Sequence, residues 1–364
     1  MARILVSGYY GHGNAGDEAI LAALTAGLAD HELTVLSGDP AATRAEHGVE
    51  AMPRQSLGAI VRALRSTDLV VSGGGSLLQD ATGPRSVPYY LGVLWLARRL
   101  GRPFVVYAQG VGPIRSPWRL RMLRLLNQAR AITVRDQASA MLLRGAGVGR
   151  PPLEVTADAA LGLPAPVRDP DRRALARLQL PARSPVFAFS VRRWQGDGFA
   201  AAIASAADGL VRRYGGSVVL VPMQFPGDVA TCEAVRARMR EPAAVLARRL
   251  PTAGMLELFA CFDLVVGMRL HALIFGALAG LLPVGLSYDP KVDAFLQAVG
   301  APAPLPVRDL RGESLLQHLA ERYPEAGGVG AALARRLADL RALARRNDQV
   351  VRAALAEVGR RRAE

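Results

Sequence analysis

The chain has 364 residues, 51% of them hydrophobic and 21% charged, with a formal net charge of +14. That length suits two domains of roughly 150 residues, and the composition excludes a disordered chain. The charge suits an acidic partner (nucleic acid, a phosphorylated small molecule or an anionic membrane) without choosing among them.

The first residues, Met1 to Ser7, hold too short an apolar run for a signal peptide. Arg3–Gly8 reads as a buried strand that breaks at Gly11-His12-Gly13-Asn14-Ala15-Gly16-Asp17, with a helix from about Glu18. The order Gly11-x-Gly13-x-x-Gly16 is superficially a dinucleotide fingerprint, but no acidic residue ends a second strand at the required place. Such a loop still permits close backbone approach to a ligand, with a helix N-terminus that favours an anion.

Asp68–Ser72 is a second strand, running into Gly73-Gly74-Gly75-Ser76-Leu77-Leu78-Gln79-Asp80. Three glycines make sense where backbone must pass close to something, and Ser76 is expected to cap the next helix. Pro103–Ala108 and Ala131–Val134 are further strands, ending in Gln109-Gly110-Val111-Gly112-Pro113 and Arg135-Asp136. Short apolar strands separated by helices indicate a parallel sheet, with chemistry at the carboxyl ends of its strands.

Leu163–Pro185 is rich in Pro and Arg, with one short helical stretch near Arg172–Leu178, and places a linker at 166–185. The alternation restarts with strands at Val186–Val191, Ser217–Val221, Asp263–Val266 and Pro283–Leu286. The expected fold is α/β: two doubly wound Rossmann-like domains, 1–165 and 186–326, facing a cleft. The longest uncharged apolar run, Ala272–Leu286, contains Pro283 and is shorter than the ~20 residues that span a bilayer.

Residues 327–364 are expected to form a long C-terminal helix, read from Gly330. Leu333, Leu337, Leu340, Ala344, Val351, Leu355 and Val358 give it an apolar seam at steps of 3 and 4. It carries nine Arg, three of them clustered at Arg360-Arg361-Arg362. A packing helix that straps the domains is the first reading, and an arm on anionic lipid is the sharper one.

Of the 45 Lys and Arg residues, Lys291 is the sole lysine. It stands in Ser287-Tyr288-Asp289-Pro290-Lys291, 20 residues after His271 in Gly267-Met268-Arg269-Leu270-His271. A compact ammonium and a planar guanidinium do not substitute for each other in a tight site, so an isolated lysine beside an Arg-x-His turn points to anion handling. Arg269 and His271 should open a helix, where an imidazole is placed for proton transfer. The other histidines, His12, His31, His47 and His318, lack such company, apart from the glycines around His12.

Cys232 and Cys261 have no metal spacing and fit a reducing compartment, so a cytoplasmic location is expected. No HExxH, GxSxG or Walker pattern occurs, and 5% aromatics leaves little for base stacking. No metal, no cofactor and no nucleic-acid partner is expected.

In order along the chain, these motifs resemble the CsaB-type polysaccharide pyruvyl transferases. The matching segments are Gly8-Tyr9-Tyr10-Gly11 with Asn14-x-Gly16-Asp17-Glu18, Gly73 to Asp80, Gln109 to Pro113, Arg135-Asp136, Ala157-Asp158, Arg192 near Trp194, Met268 to His271, and Tyr288 to Lys291. The resemblance implies a GT-B-like two-domain fold, with 1–165 on the acceptor side and 186–326 on the donor side, and transfer of a pyruvyl group from phosphoenolpyruvate onto two hydroxyls of a sugar, giving a cyclic ketal. It implies a lipid-linked cell-wall precursor containing N-acetylmannosamine as acceptor, in a polymer that anchors S-layer proteins. Carried over residue by residue, it implies His271 as general acid/base, with Arg135 and Lys291 as its catalytic companions. Arg269, Arg192, Lys291, Arg135 and Leu270 would bind phosphoenolpyruvate. Gly11, Asn14, Asp17, Gly74, Gly75, Ser76, Asp80, Gln109 and Asp158 would line the acceptor side, with Asp80 and Asp158 orienting sugar hydroxyls or arginines. A cluster of Arg and Lys answers the small trianion directly, since Arg forks onto carboxylate or phosphate and Lys adds a point charge.

Two rivals remain. A GT-B nucleotide-sugar glycosyltransferase wants a carboxylate for a ribose in the second domain, for which Glu257 is the candidate. A non-catalytic basic protein on membrane or nucleic acid would bind in a salt-sensitive way and be indifferent to His271.

Overall fold

The computed structural model describes residues 1–81, 83–196, 198–326 and 330–363, without the side chains of 324–326 and 361–363. The expected boundary at 326/327 and the Arg361-Arg362 end of the arginine cluster therefore lie outside the described residues. The chain forms two compact units. One comprises 1–12, 17–163 and 340–364, and the other comprises 13–16 and 164–339.

The first unit holds β1 (Arg3–Tyr10), β2 (Glu32–Ser37), β3 (Glu50–Pro53), β4 (Leu69–Ser72), β5 (Gly75–Leu78), β6 (Phe104–Val111), β7 (Ile132–Val134) and β8 (Leu153–Val155). Their order is β3-β2-β1-β4-β6-β7-β8, with β5 also on β6, and every pairing is parallel. β4 and β6 are buried along their whole length, as a parallel sheet covered on both faces requires. The strand order reverses between β1 and β4, so the glycine loop after β1 and the one after β4 leave from adjoining carboxyl ends.

The second unit holds β9 (Val186–Ser190), β10 (Ser217–Leu220), β11 (Ala243–Val245), β12 (Leu264–Gly267), β13 (Pro283–Ser287) and β14 (Leu305–Pro306). They lie in the order β11-β10-β9-β12-β13-β14, again all parallel. Ser190 is in register with Gly267 and Gly267 with Gly285, so the loops after β9, β12 and β13 start side by side.

Three expectations change. Ser76 caps no helix: it lies inside β5, and the next helix begins at Ser86. The reason is Gln109, fully buried on β6, whose Nε2 donates to the Gly75 carbonyl at 2.5 Å and draws the glycine run into the sheet. Second, residues 166–185 are no free linker but part of the second unit. Arg172 reaches Asp263 at 2.7 Å, that carboxylate also accepts the Val186 N–H at 2.7 Å, and Arg168 and Arg172 donate to the Phe262 and Cys261 carbonyls. Third, the first helix starts at Ala15 rather than near Glu18.

The C-terminal helix runs over Ala331–Ala363, and its residues from Leu340 onward belong to the first unit. The expected seam is buried at Leu333, Ala344, Val351 and Val358 and gains Asn347, Val350 and Ala354. Asn347 is fully buried because every polar atom is answered: it accepts from Thr156 Oγ1 at 2.8 Å and donates to the Ala157 and Ala344 carbonyls. Arg346 and Arg352 pair with Glu154 and Asp30. Leu337, Leu340 and Leu355 of the expected seam are only partly buried. No helix among the described residues is long and apolar enough to cross a membrane.

Candidate active site

In the second unit, the loop after β10 ties the Gly13–Ala15 segment to Asp228 and Arg269. Phe225 N–H donates to the Gly13 carbonyl at 2.8 Å, Ala15 N–H donates to the Met223 carbonyl at 2.8 Å, and Asn14 bridges Gln224 antiparallel. Asn14 Oδ1 accepts the Gly16 N–H at 3.0 Å, turning the chain into its first helix. Gly16 lies against the His271 imidazole, where a Cβ would overlap the ring. That contact, rather than ligand approach, explains the last glycine of the first loop.

The same loop supplies Asp228, which is 2% exposed. Its Oδ2 accepts the Met223 and Gln224 N–H groups at 3.3 and 3.0 Å. It also receives both sides of the Arg269 fork, Nε to Oδ2 at 2.8 Å and Nη2 to Oδ1 at 2.6 Å. A bidentate, charge-assisted pair fixes the guanidinium plane as well as its place. Arg269 occupies the N-cap position of the helix Leu270–Leu278 without a side-chain capping bond, so Leu270 and His271 form its first turn, with Leu270 buried.

The neighbouring strand ends bring a second group. Arg192 Nη1 donates to the Tyr288 hydroxyl at 2.9 Å, and its guanidinium lies 4.9 Å from that ring, which Trp194 also touches. Arg192 Nε is buried, and the guanidinium has no carboxylate partner among the described residues. Lys291 Nζ stands 3.1 Å from Asp289 Oδ2 and 6.0 Å from the Tyr288 ring. Asp289 caps the helix Pro290–Val299, which fixes the lysine's turn.

The first unit gathers Arg135, Asp158, Ser76, Gln109 and Gly75 at the ends of β6 and β7. Arg135 donates to Asp158 Oδ2 at 3.0 Å and Ser76 Oγ at 2.8 Å, with Asp136 at 3.7 Å, and it lies flat on the Gly110 backbone. Gly73, Gly74 and Gly75 leave room for Tyr10, Ile20 and Asp17 of the first segment, where any Cβ would clash. Asp17 is buried there, and Gly11 N–H is held by Glu18 Oε1 at 2.9 Å.

Asp80 accepts the Arg115 and Ser116 N–H groups and Arg119 Nη1 at 3.1 Å. Burial pushes its carboxyl up, but those donors outweigh it and hold the carboxyl below the ordinary range. Glu257 is exposed and paired with Arg177, a surface setting unlike a ribose grip. Glu18, Glu46 and His47 place one potential ligand atom each within 4.8 Å of one another, though Glu18 already serves Gly11 and His47.

Two features escaped the sequence reading. Asp228 follows Pro226-Gly227 in the sequence, and its only signal is its position before a helix. Arg54 lies among the rings of Tyr9, Tyr89 and Tyr90, bonded to the Tyr90 hydroxyl at 3.2 Å and to His12 Nε2 at 3.0 Å. Burial, then Arg54, lowers the His12 pKa, in keeping with a neutral ring that accepts from the guanidinium.

Solved structures of similar fold include the Anabaena Alr3699/HepE protein in complex with UDP and glucose, at 16% identity and TM-score 0.64, covering 98% of this chain and 100% of that one. A putative UDP-N-acetylglucosamine 2-epimerase from Listeria monocytogenes matches at 11% identity and TM-score 0.66, covering 98% and 97%. The corresponding epimerase from Rickettsia bellii matches at 10% and 0.65, covering 99% and 98%. These likenesses establish the GT-B fold class. No curated protein matches the chain. The family model described as polysaccharide pyruvyl transferase matches residues 14–290, from the Asn14 turn to the start of the helix that Asp289 caps, and the chain belongs to that family.

Proposed function

We propose that the protein transfers the pyruvyl group of phosphoenolpyruvate onto two hydroxyls of one sugar in a lipid-linked cell-wall polysaccharide precursor, with N-acetylmannosamine as the acceptor sugar. The observation that carries this is the cationic edge of the second unit. Arg192, after β9, has no carboxylate partner among the described residues, the sole lysine stands in the first turn of the helix after β13, and Arg269, after the intervening β12, is clamped two residues before His271. A partly buried guanidinium without a counter-charge is stabilised by a bound anion.

In this reading His271 protonates the methylene carbon of the enol phosphate. The first sugar hydroxyl adds to C2 and loses its proton. The C2–O bond to phosphate then breaks, and inorganic phosphate leaves with the bond's electrons. The second hydroxyl adds to the resulting oxocarbenium and loses its proton, closing the ketal. One proton ends on the new methyl group and one on phosphate, so the balance needs no redox partner. On the second unit Arg269, Arg192 and Lys291, with Leu270, are assigned to phosphate and carboxylate, and on the first unit Arg135 is assigned the same role. Asp158 orients Arg135, and Gly11, Asn14, Asp17, Gly74, Gly75, Ser76, Asp80 and Gln109 shape the acceptor side. The reaction is assigned to the cytoplasmic face, and the polymer to S-layer anchoring.

The test is incubation with phosphoenolpyruvate and a panel of lipid-linked disaccharides, read by mass for a pyruvyl ketal and by phosphate release. UDP-sugars form the control arm. Sugar transfer from them, without phosphate from phosphoenolpyruvate, would establish the glycosyltransferase rival instead.

A further inference from the structure

We propose that the helical layer of the first unit formed by Ser86–Arg99 and Pro117–Met122 is a docking surface for an anionic lipid bilayer. Between Asp80 and Asp136 the chain carries ten arginines and no Asp or Glu. Six of them are exposed, and among the described residues none of those six forms an ion pair. The two helices pack on each other, and Pro117–Met122 buries none of its residues. Each presents an indole to solvent: Trp95 is 52% and Trp118 53% exposed. Each indole has a guanidinium over its ring, Arg99 at 5.7 Å and Arg119 at 5.2 Å.

Solvent gives no return for two half-exposed indoles in so basic a layer. A bilayer interface does: the ring rests at the headgroup level and neighbouring cations meet lipid phosphates. Single-stranded nucleic acid would want open ring faces along a groove, whereas each ring here is covered by its own arginine. The C-terminal helix carries no aromatic residue to set at a headgroup level, and it buries Val350, Val351 and Ala354 and pairs Arg346 and Arg352. The inference goes beyond the ketal-transfer reading, and its test needs no turnover.

The full chain is co-sedimented with vesicles of phosphatidylcholine alone and with vesicles also containing phosphatidylglycerol. Binding is expected only to the anionic vesicles and should weaken with salt. The pair Arg98→Gln and Arg121→Gln should lower partitioning by roughly thirtyfold. The pair Trp95→Ser and Trp118→Ser should lower it by roughly tenfold. Thermal melts should be unchanged, because all four side chains are exposed. The proposal is overturned by equal partitioning to both vesicle types, by none to either, or by variants that bind like the parent. It is equally overturned if Arg345→Gln with Arg360→Gln, on the C-terminal helix, abolishes binding instead, or if duplex DNA is held as tightly through the same residues.

Discussion

Arg135 in the first unit and Arg269 in the second each follow a parallel strand and meet a carboxylate, yet they are held by different devices. Arg135, 7% exposed at its side chain, spreads its donors over Asp158, Ser76 and Asp136. Arg269, 19% exposed, gives Nε and Nη2 to one carboxylate, itself pinned by two backbone N–H groups. A guanidinium shared among several partners keeps its place when one is lost. A guanidinium whose Nε and Nη2 both go to one pinned carboxylate takes its orientation from that carboxylate, and this one stands two residues from the imidazole.

The largest effects should fall on that clamped side. His271→Ala is expected to lower kcat by roughly a hundred- to ten-thousand-fold with the fold intact, the range for a general acid/base. Gly16→Ala should approach that loss through sterics alone, because its methyl would displace the ring. Steady-state kinetics beside a thermal melt separate both from unfolding, and near-parental turnover in either would remove His271 from the chemistry.

The contrast between the arginines is tested next. Asp228→Asn takes the charge from the clamp and should lower kcat/KM for phosphoenolpyruvate by roughly ten- to a hundredfold. Ser76→Ala removes one of several Arg135 partners and should stay under about tenfold. Equal losses would mean that the clamp has no special standing. Lys291→Arg keeps the charge but replaces a point with a fork, and a loss of at least about tenfold is expected. An unchanged rate would reduce the sole lysine to coincidence.

The smallest effect lies away from both arginines. Burial raises Asp348 to about 6, against the opposing Tyr107 hydrogen bond and Arg352 charge. Its folded value exceeds its unfolded one, so the linked stability is fully present below the ordinary 3.8 and is lost as pH rises through about 6. Asp348→Asn can still accept from Tyr107 and has no proton to lose. Its melting temperature should exceed the parent's above pH ~7, with the gap closing toward pH ~4. A gap that does not vary with pH contradicts this.

What the sequence revealed follows from how local each signal is. The strands that flank the site are short apolar runs, and eight of them were readable because burial on both faces leaves no alternation to confuse. β2 and β3 were missed because Glu32, Thr34 and Glu50 interrupt their apolar character, and β14 because two residues carry no period. The residues after strand ends were legible as candidates, since loops at those ends are where α/β folds place chemistry. Their partners were not: Asp228 lies 41 residues from Arg269, and Gly16 meets His271 only through the loop after β10. The glycine run at 73–75 was read as room for a ligand but accommodates Tyr10, Ile20 and Asp17 instead. Spacing reports that a backbone must pass close to something, not what that something is.

The central claim is that this edge of guanidinium groups and one ammonium serves an enol phosphate beside an imidazole. Its most direct measurement is time-resolved mass analysis of a lipid-linked disaccharide incubated with phosphoenolpyruvate and the protein. The account predicts one pyruvyl ketal per acceptor, one phosphate released with each, and neither with His271→Ala. Acceptor that stays unmodified while a UDP-sugar is consumed, or ketal formation that persists in His271→Ala, would contradict it.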